Sequence, residues 1–302
     1  MPQHQTSQIH QNLIALSREP ISEKLVFELK DRALQFGATL HTLGGQLANG
    51  AYHSEGWNCN QHLDTAQRDS LRSIANSYCV DLCFLKADLN LQEIRVLAMD
   101  MDSTLINIEC IDEIADFAGK KSAVAQITEA TMRGEIKDFK ESLRQRVALL
   151  EGVPIDVLES VYRERLRPNP GAIELLQGAN QRSLYTLLVS GGFTFFTEKL
   201  EQQLGFKQTQ ANTLEIIEGK LTGKVIGDIV DGVAKAAHLD EACRILGCTK
   251  LNAITLGDGA NDLIMMNDSG ISIAYHAKPI VKEKADAAFD HVGLDAALLL
   301  IP

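Results

Sequence analysis

The chain has 302 residues, enough for one large domain or two smaller ones, and at 45% hydrophobic and 23% charged it has the balance of an ordinary globular protein. Its formal net charge of −11 argues against nucleic acid or an anionic membrane surface as a partner, because binding phosphate polymers needs a basic face. A local basic pocket for one small anion stays compatible with that balance.

The first twenty residues are polar and contain no apolar signal core, and the longest apolar runs fall far short of a membrane span. Both features lead us to expect a cytoplasmic protein. The first half-dozen residues read as disordered. Residues 22–35 have helical periodicity, and the steps Gly44-Gly45, Asn49-Gly50 and Glu55-Gly56 read as turns. Residues 67–78 suggest a second helix and residues 80–86, VDLCFLK, a strand. Residues 1–92 are therefore expected to form a small α+β unit, in which nothing looks catalytic.

From Ile94 the pattern changes. Residues 94–99, 184–189, 251–256 and 271–275 are short apolar runs ending in Asp, Ser, Gly or a polar turn, with helical stretches between them. Uninterrupted apolar strands alternating with helices predict a parallel sheet covered on both faces, with ligands outside the carboxyl ends of its strands. Between the first two of these strands, residues 107–168 exceed what a crossover helix needs. They carry amphipathic stripes such as Ile111, Ile114, Ala115 and Ala118, and Phe139, Leu143, Val147 and Leu150. The surplus reads as a helical cap over the site. Residues 214–226 predict a hairpin turning at Glu218-Gly219.

Six cysteines occur, none in a C-x-x-C pair, so zinc is disfavoured and free thiols are expected. His238, His276 and His291 do not form a metal-spaced set, and His276 is given no role.

Four stretches carry chemistry. In VLAMDMDSTLINIE, residues 96–109, an apolar strand ends in Asp100 and Asp102. A lone D-x-D is more often a pair of surface acids. Behind a buried strand, two close carboxylates repel unless a cation or proton lies between them, and a hard oxygen-seeking ion such as Mg²⁺ is the natural solution. LGDGANDLIMMNDSG, residues 256–270, places Asp258 and Asp262 four apart after another apolar strand, with Gly257 and Gly259 allowing tight turns. By itself this could be an acidic helix start, but two acidic strand ends in one parallel sheet are harder to dismiss. Ser190-Gly191-Gly192 ends a third strand, where a hydroxyl and glycine amides can hold a phosphate oxygen. It is neither a G-x-S-x-G elbow nor part of a nucleotide-binding glycine loop. Lys235, near a helix start, supplies the point cation that an acidic phosphate site requires.

In this order, D-M-D-S-T, Ser190, Lys235 and G-D-G-A-N-D resemble the four motifs of the haloacid dehalogenase-like (HAD) phosphatases, over about Ile94 to His291, roughly two-thirds of the chain. The resemblance implies a doubly wound, Rossmann-like parallel-sheet core over residues 93–302 with a small helical cap at about 107–168, preceded by the α+β unit. The stretches DMDSTLINIECIDEIA, SGGFTFF, GKLTGKVIGDIVDG, GDGANDLIMM and AYHAKP are similar to the branch that hydrolyses O-phospho-L-serine. That resemblance implies Asp100 as nucleophile and Asp102 as general acid and base. It implies Mg²⁺ on the Asp100 carboxylate, the Asp102 backbone carbonyl and Asp258, with Asp262 behind them orienting a metal-bound water or Lys235. Ser190, Gly191 and Lys235 would hold phosphoryl oxygens, and Asn261 the phosphate or the metal's water shell. Glu109 and Arg146 would meet the substrate's ammonium and carboxylate, with Arg144 competing for the inward position, and Met132 and Phe139 would cover the substrate. The partner would be the small-molecule substrate, with no nucleic acid and no membrane, and a homodimer is compatible with this reading. Left open beside it are another small phosphomonoester as substrate, phosphotransfer to homoserine, and a non-catalytic amino-acid sensor.

Overall fold

A computed structural model describes residues 10–43, 51–132, 135–136 and 138–301, without the side chain of Met132. The turns expected at Gly44-Gly45 and Asn49-Gly50, and the first residues of the chain, lie outside the described residues.

The N-terminal unit runs β1 (Gln11–Ser17), α1 (Glu23–Gln35), β2 (Leu40–Thr42), β3 (His53–Cys59), α2 (Thr65–Asn76) and β4 (Asp81–Lys86). The second helix starts earlier than periodicity suggests, because Asp64 and Gln67 close a reciprocal capping box, Gln67 N–H to Asp64 Oδ1 at 2.9 Å and Asp64 N–H to Gln67 Oε1 at 3.0 Å. Glu55-Gly56 is not a turn. Both residues lie inside β3, opposite Ala15 and Ile14 of β1, and pairing on both sides of the strand overrides the local turn signal.

The rest of the chain supplies β5 (Val96–Met99), then α3 (Cys110–Phe117), α4 (Lys121–Met132), α5 (Phe139–Ala148) and α6 (Asp156–Ser160), followed by α7 (Ala172–Gln181), β6 (Tyr185–Phe193) and α8 (Thr194–Leu204). It continues through β7 (Gln208–Ile217), β8 (Lys220–Ile226), α9 (Gly232–Ile245), β9 (Ala253–Gly257), α10 (Leu263–Met266), β10 (Ile271–Tyr275), α11 (Pro279–Lys284) and β11 (Ala287–Phe289).

Among the described residues, eleven strands form one sheet in the order β2-β3-β1-β4-β11-β10-β9-β5-β6-β7-β8. From β11 to β7 all neighbours are parallel, and β5 lies between β9 and β6. Alternation explains why these strands read as uninterrupted apolar runs: Leu97, Met99, Leu188, Ile254 and Leu256 face one helical layer, while Val96, Ala98, Leu187, Val189 and Ala253 face the other, against α9. The N-terminal unit divides its faces the same way. Leu13, Ala15, Trp57, Leu82 and Phe84 pack under α1 and α2, while Ile14, Leu16, Cys83 and Leu85 join the core of the parallel sheet.

The segment after β5 leaves and re-enters the core at a paired neck, Asn107 N–H to the Arg167 carbonyl at 3.0 Å and Arg167 N–H to Asn107 Oδ1 at 2.8 Å. Above it α3 to α6 form a helical cap. The hairpin β7–β8 turns at Glu218 (φ 50°) and Gly219 (φ 73°), the two positive φ angles that a right-twisted two-residue turn requires. It also completes the cap: Gly152 N–H donates to the Leu221 carbonyl and Leu221 N–H to the Val153 carbonyl, both at 2.8 Å.

Candidate active site

The carboxyl ends of β5, β6 and β9 converge with the first turn of α9. Asp100 follows β5 directly, its N–H bonded to the Leu256 carbonyl of β9 at 3.1 Å. The chain then makes an irregular turn in which Ser103 takes φ 56°, an uncommon conformation for a residue with a Cβ. That turn sends the two aspartates in different directions.

Asp100 is buried, and its Oδ1 accepts from Met101 N–H at 2.8 Å and from Lys235 Nζ at 2.7 Å. Lys235 is fully buried on the first turn of α9, a helix capped by Asp231, whose Oδ1 accepts from Ala234 N–H at 2.9 Å. The same ammonium donates to Asp262 Oδ1 at 2.7 Å, and Asp262 Oδ2 accepts from Gly259 N–H at 3.0 Å. Both Asp262 oxygens are thus engaged. This geometry needs glycine at 257, where a Cβ would stand 2.5 Å from the Cβ of Asp262. Asp258 accepts from Thr104 Oγ1 at 3.4 Å.

Carboxylate oxygens of Asp100, Asp258 and Asp262 lie within 4.8 Å of one another. Lys235 pairs with two of these three acids, Asp100 and Asp262. Burial first, and the Asp262 carboxylate second, push Asp100 well above the ordinary carboxylate range, and the same two causes with Glu109 push Asp258 up to about 7. With Asp262 saturated, the second oxygen of Asp100 and the Asp258 carboxylate are the donors left, an oxygen-only pair that suits a hard divalent cation.

The Asp102 carboxylate stands outside that cluster. Its Oδ1 accepts from Cys110 N–H at 3.3 Å at the start of α3, and its Oδ2 lies against Gly192, where a Cβ would stand 2.7 Å away. Burial, then the neighbouring Glu109 carboxylate, push its carboxyl up to about 8. Ser190 is fully buried at the end of β6, and its Oγ accepts from Gly192 N–H at 2.8 Å. Asn212 fixes this turn, donating to the Gly191 carbonyl and accepting from Val230 N–H, both at 2.8 Å.

From the cap, Glu109 accepts from Ser103 Oγ at 2.7 Å, and burial pushes its carboxyl up. Arg146 is half-buried, with Asp112, Glu109 and Asp102 as the acids that hold its charge against burial, whereas Arg144 is exposed. Phe139 lies over Gly191, where a Cβ would come 3.0 Å from its ring. Met132 ends α4, and its side chain lies outside the described residues. Asn261 is partly exposed beside Gly259, and its carbonyl packs against Gly232. His276 is exposed just after β10.

Sequence reasoning missed the roles of Thr104, Asn212 and Lys278, and singled out Gly192 only for its amide and not for its closeness to Asp102. Thr104 and Gly192 lie within recognised stretches, but what they touch appears only on folding. Asn212 carries no local signal. Lys278 donates its N–H to the Asp258 carbonyl at 3.0 Å, and its charge faces Asp258 and Glu109.

A family profile described as haloacid dehalogenase-like hydrolase matches residues 97–267. A phosphoserine phosphatase from Polaromonas sp. strain JS666 is 56% identical over 218 residues, 71% of this chain and 92% of the relative. Among solved structures, a probable phosphoserine phosphatase from Vibrio cholerae superposes with TM-score 0.76 at 33% identity, covering 96% of this chain and 86% of the other. A HAD family hydrolase from Salmonella enterica serovar Typhi superposes with TM-score 0.83 at 29% identity over 96% and 98% of the two chains. Among the described residues no helix is long and apolar enough to cross a membrane. The chain belongs to the haloacid dehalogenase-like hydrolases, in the branch of the phosphoserine phosphatases.

Proposed function

We propose that this chain is a Mg²⁺-dependent phosphatase that hydrolyses O-phospho-L-serine to L-serine and phosphate through a phosphorylated Asp100. The observation that carries this reading is the division of labour at the end of β5. Asp100 turns into the buried cluster with Lys235 and Asp258, while Asp102 turns towards the cap residues Glu109 and Arg146.

Asp100, held by Lys235 and by the Met101 amide, is aimed at phosphorus and forms the acyl phosphate, dividing the hydrolysis into two displacements. Asp102, whose environment favours the protonated form, gives its proton to the departing serine oxygen. As a carboxylate it then takes a proton from the water that attacks phosphorus, and Asp100 is released as phosphate leaves. Lys235, the Ser190 hydroxyl and the amides of the Ser190-Gly191 turn hold phosphoryl oxygens, and Asn261 lies at the rim of the same pocket. Mg²⁺ would be held by Asp100, the Asp102 backbone carbonyl and Asp258, and when bound it offsets charge on the phosphoryl group. Asp262 keeps Lys235 in place. In the cap, Glu109 meets the ammonium and Arg146 the carboxylate of the substrate, under Phe139 and Met132. The six cysteines are all thiols, which suits a cytoplasmic enzyme.

The test is phosphate release with Mg²⁺ from phosphoserine and from a panel of sugar phosphates. Phosphoserine should be preferred by about 10²-fold or more in kcat/KM, since a site built for an ammonium and a carboxylate leaves them unpaired with other substrates. Comparable turnover across the panel would refute the substrate. Asp100→Asn should lose nearly all turnover, and unchanged hydrolysis by that variant would refute the nucleophile.

A further inference from the structure

The far end of α9 brings two thiols together. Cys248 N–H donates to the Cys243 carbonyl at 2.9 Å and Gly247 N–H to the Arg244 carbonyl at 3.2 Å, with Gly247 at φ 66°. These two bonds and the left-handed glycine form a Schellman motif. Cys243 and Cys248 occupy its third-from-last helical position and its second position beyond the cap, the pair whose side chains characteristically meet. An apolar pair usually fills these places. Here both are sulfur, and the Cys248 thiol lies near enough to raise the Cys243 thiol.

We propose that Cys243 and Cys248 are a redox-active thiol pair that hydroperoxides convert to a reversible disulfide. This inference stands independently of the substrate assigned above. A direct backbone hydrogen bond between two residues keeps their Cα atoms inside the roughly 4.4–6.8 Å that a disulfide spans, so the bridge needs side-chain rotation and no refolding. Access differs between the partners. Cys248 is half-buried and reachable, while Cys243 is 3% exposed and packs with Val96, Ala98, Leu187 and Val189 behind β5 and β6. Burial, followed by the Cys248 sulfur, pushes the Cys243 thiol up to about 12, which keeps it out of the first step.

The Cys248 thiolate attacks the peroxide oxygen, giving a sulfenic acid and releasing an alkoxide or hydroxide that takes up a proton. Cys243 sulfur then attacks Cys248 sulfur. The S–O bond breaks, and the departing hydroxide leaves as water with the Cys243 proton. Overall, two thiols lose two hydrogens while one hydroperoxide is reduced to an alcohol, or water, and a second water. Lys235 lies on the first turn of the same helix, more than two turns from the pair, so the bridge leaves the site's geometry in place.

The full-length protein, reduced and freed of reductant, is exposed to a small excess of hydrogen peroxide, quenched, denatured, alkylated and digested with trypsin. Arg244 lies between the two cysteines, so the bridge appears as peptides 236–244 and 245–250 joined. We expect that species as the main product, its disappearance with dithiothreitol, and unchanged turnover in the bridged protein. Cys243→Ser treated identically should hold Cys248 as a sulfenic acid that dimedone captures, and Cys243→Ala provides the same readout if the serine variant does not fold. In Cys248→Ser, Cys243 should stay alkylatable. The proposal is overturned if both thiols remain alkylatable after the exposed Cys79 has been oxidised. It is equally overturned if Cys248 in the unaltered protein proceeds to sulfinic acid or pairs with Cys79.

Discussion

Gly192→Ala isolates the positioning of Asp102 and Ser190. Gly192 lies at the end of β6 without a positive φ, so alanine meets no backbone penalty and only its added methyl matters. That methyl would stand 2.7 Å from Asp102 Oδ2, 2.7 Å from Met101 Cε and 3.0 Å from Ser190 Oγ, where ordinary contact begins at 3.4 Å. The Met101 methyl can swing away. The carboxylate must then retreat by about 0.7 Å, and the serine hydroxyl by about half that. Displacements approaching 1 Å at reacting groups cost up to about 10²-fold, so kcat for phosphoserine should fall about tenfold to a hundredfold. The accompanying overpacking should cost about 1–3 kcal/mol of stability, little enough to leave the variant folded. Initial rates of phosphate release against substrate and Mg²⁺ separate the terms. Because the added methyl meets the Asp102 side chain and not its backbone carbonyl, and Asp100 and Asp258 are untouched, half-saturation by Mg²⁺ should not move. A folded variant with the parent's kcat would refute the placement of the Asp102 carboxylate against β6, and a shift confined to Mg²⁺ affinity would refute the separation of that carboxylate from the metal cluster.

Lys235→Met should abolish turnover and destabilise the protein by about 3–5 kcal/mol in urea unfolding, because Asp100 and Asp262 lose their buried counter-charge; a change below 1 kcal/mol would contradict the pairing. Arg146→Ala should lower kcat/KM for phosphoserine by about 1.5–3 kcal/mol, roughly tenfold to a hundredfold, while p-nitrophenyl phosphate, which lacks the amino-acid groups, is hydrolysed as before; equal losses on both would remove the recognition role. Asp102 and Asp258 have folded-state values raised to about 8 and about 7, so the metal-free fold binds more protons than the unfolded chain and loses stability as pH rises from the ordinary carboxylate range through those values. Calorimetry in EDTA should therefore give a Tm that falls between about pH 5 and pH 8, and the rise on adding Mg²⁺ should be larger at the higher pH; a flat response would contradict the excess of buried negative charge. Asp81 accepts from the N–H groups of Asp290, His291 and Val292 at 3.0, 2.9 and 2.9 Å, so Asp81→Ala should cost about 3 kcal/mol or more in denaturant unfolding by stranding them.

Legibility from sequence followed the range of the interactions involved. The parallel sheet was readable because strands covered on both faces are nearly continuous apolar runs, as Val96–Met99 is and as Ala253–Gly257 is apart from Thr255, whose buried hydroxyl pairs with Ser269. The acids at their ends stood out because charge directly after such a run has few structural uses. Short motifs such as Glu218-Gly219 were readable because a two-residue turn is decided by its own φ angles. Glu55-Gly56 carried an equivalent local signal and failed, since neighbours on both sides of β3 decide its conformation. Arg146 was preferred to its competitor Arg144 by resemblance and by a helical stripe alone, and what separates them physically is which side of α5 faces Asp112 and Glu109. Asn212 and Lys278 act through bonds to Gly191 and Asp258, which are distant in sequence, and no periodicity marks such contacts.

The same dependence on remote neighbours explains how residues 11–86 meet the catalytic core. β11 has three residues and would expose a bare edge at one side of the parallel sheet. β4 covers it in antiparallel fashion, with Cys83 opposite Ala287 and Phe84 N–H bonded to the Asp286 carbonyl at 2.8 Å. So short a ladder cannot hold two units by itself, and the contacts around it are polar and buried. Arg72 donates to the carbonyls of Lys282 at 2.8 Å and Ala285 at 2.7 Å, satisfying the last turn of α11 with a cation where the helix dipole favours one. Tyr52 donates to Asp295 Oδ1 at 2.5 Å and accepts from Gly293 N–H at 3.1 Å. Each of these groups is desolvated on contact and costs free energy if its partner shifts, so the seam tolerates few relative orientations. Apolar packing of Cys83 and Leu85 against the core supplies the attraction, and the buried polar bonds select the one orientation in which eleven strands make a single sheet.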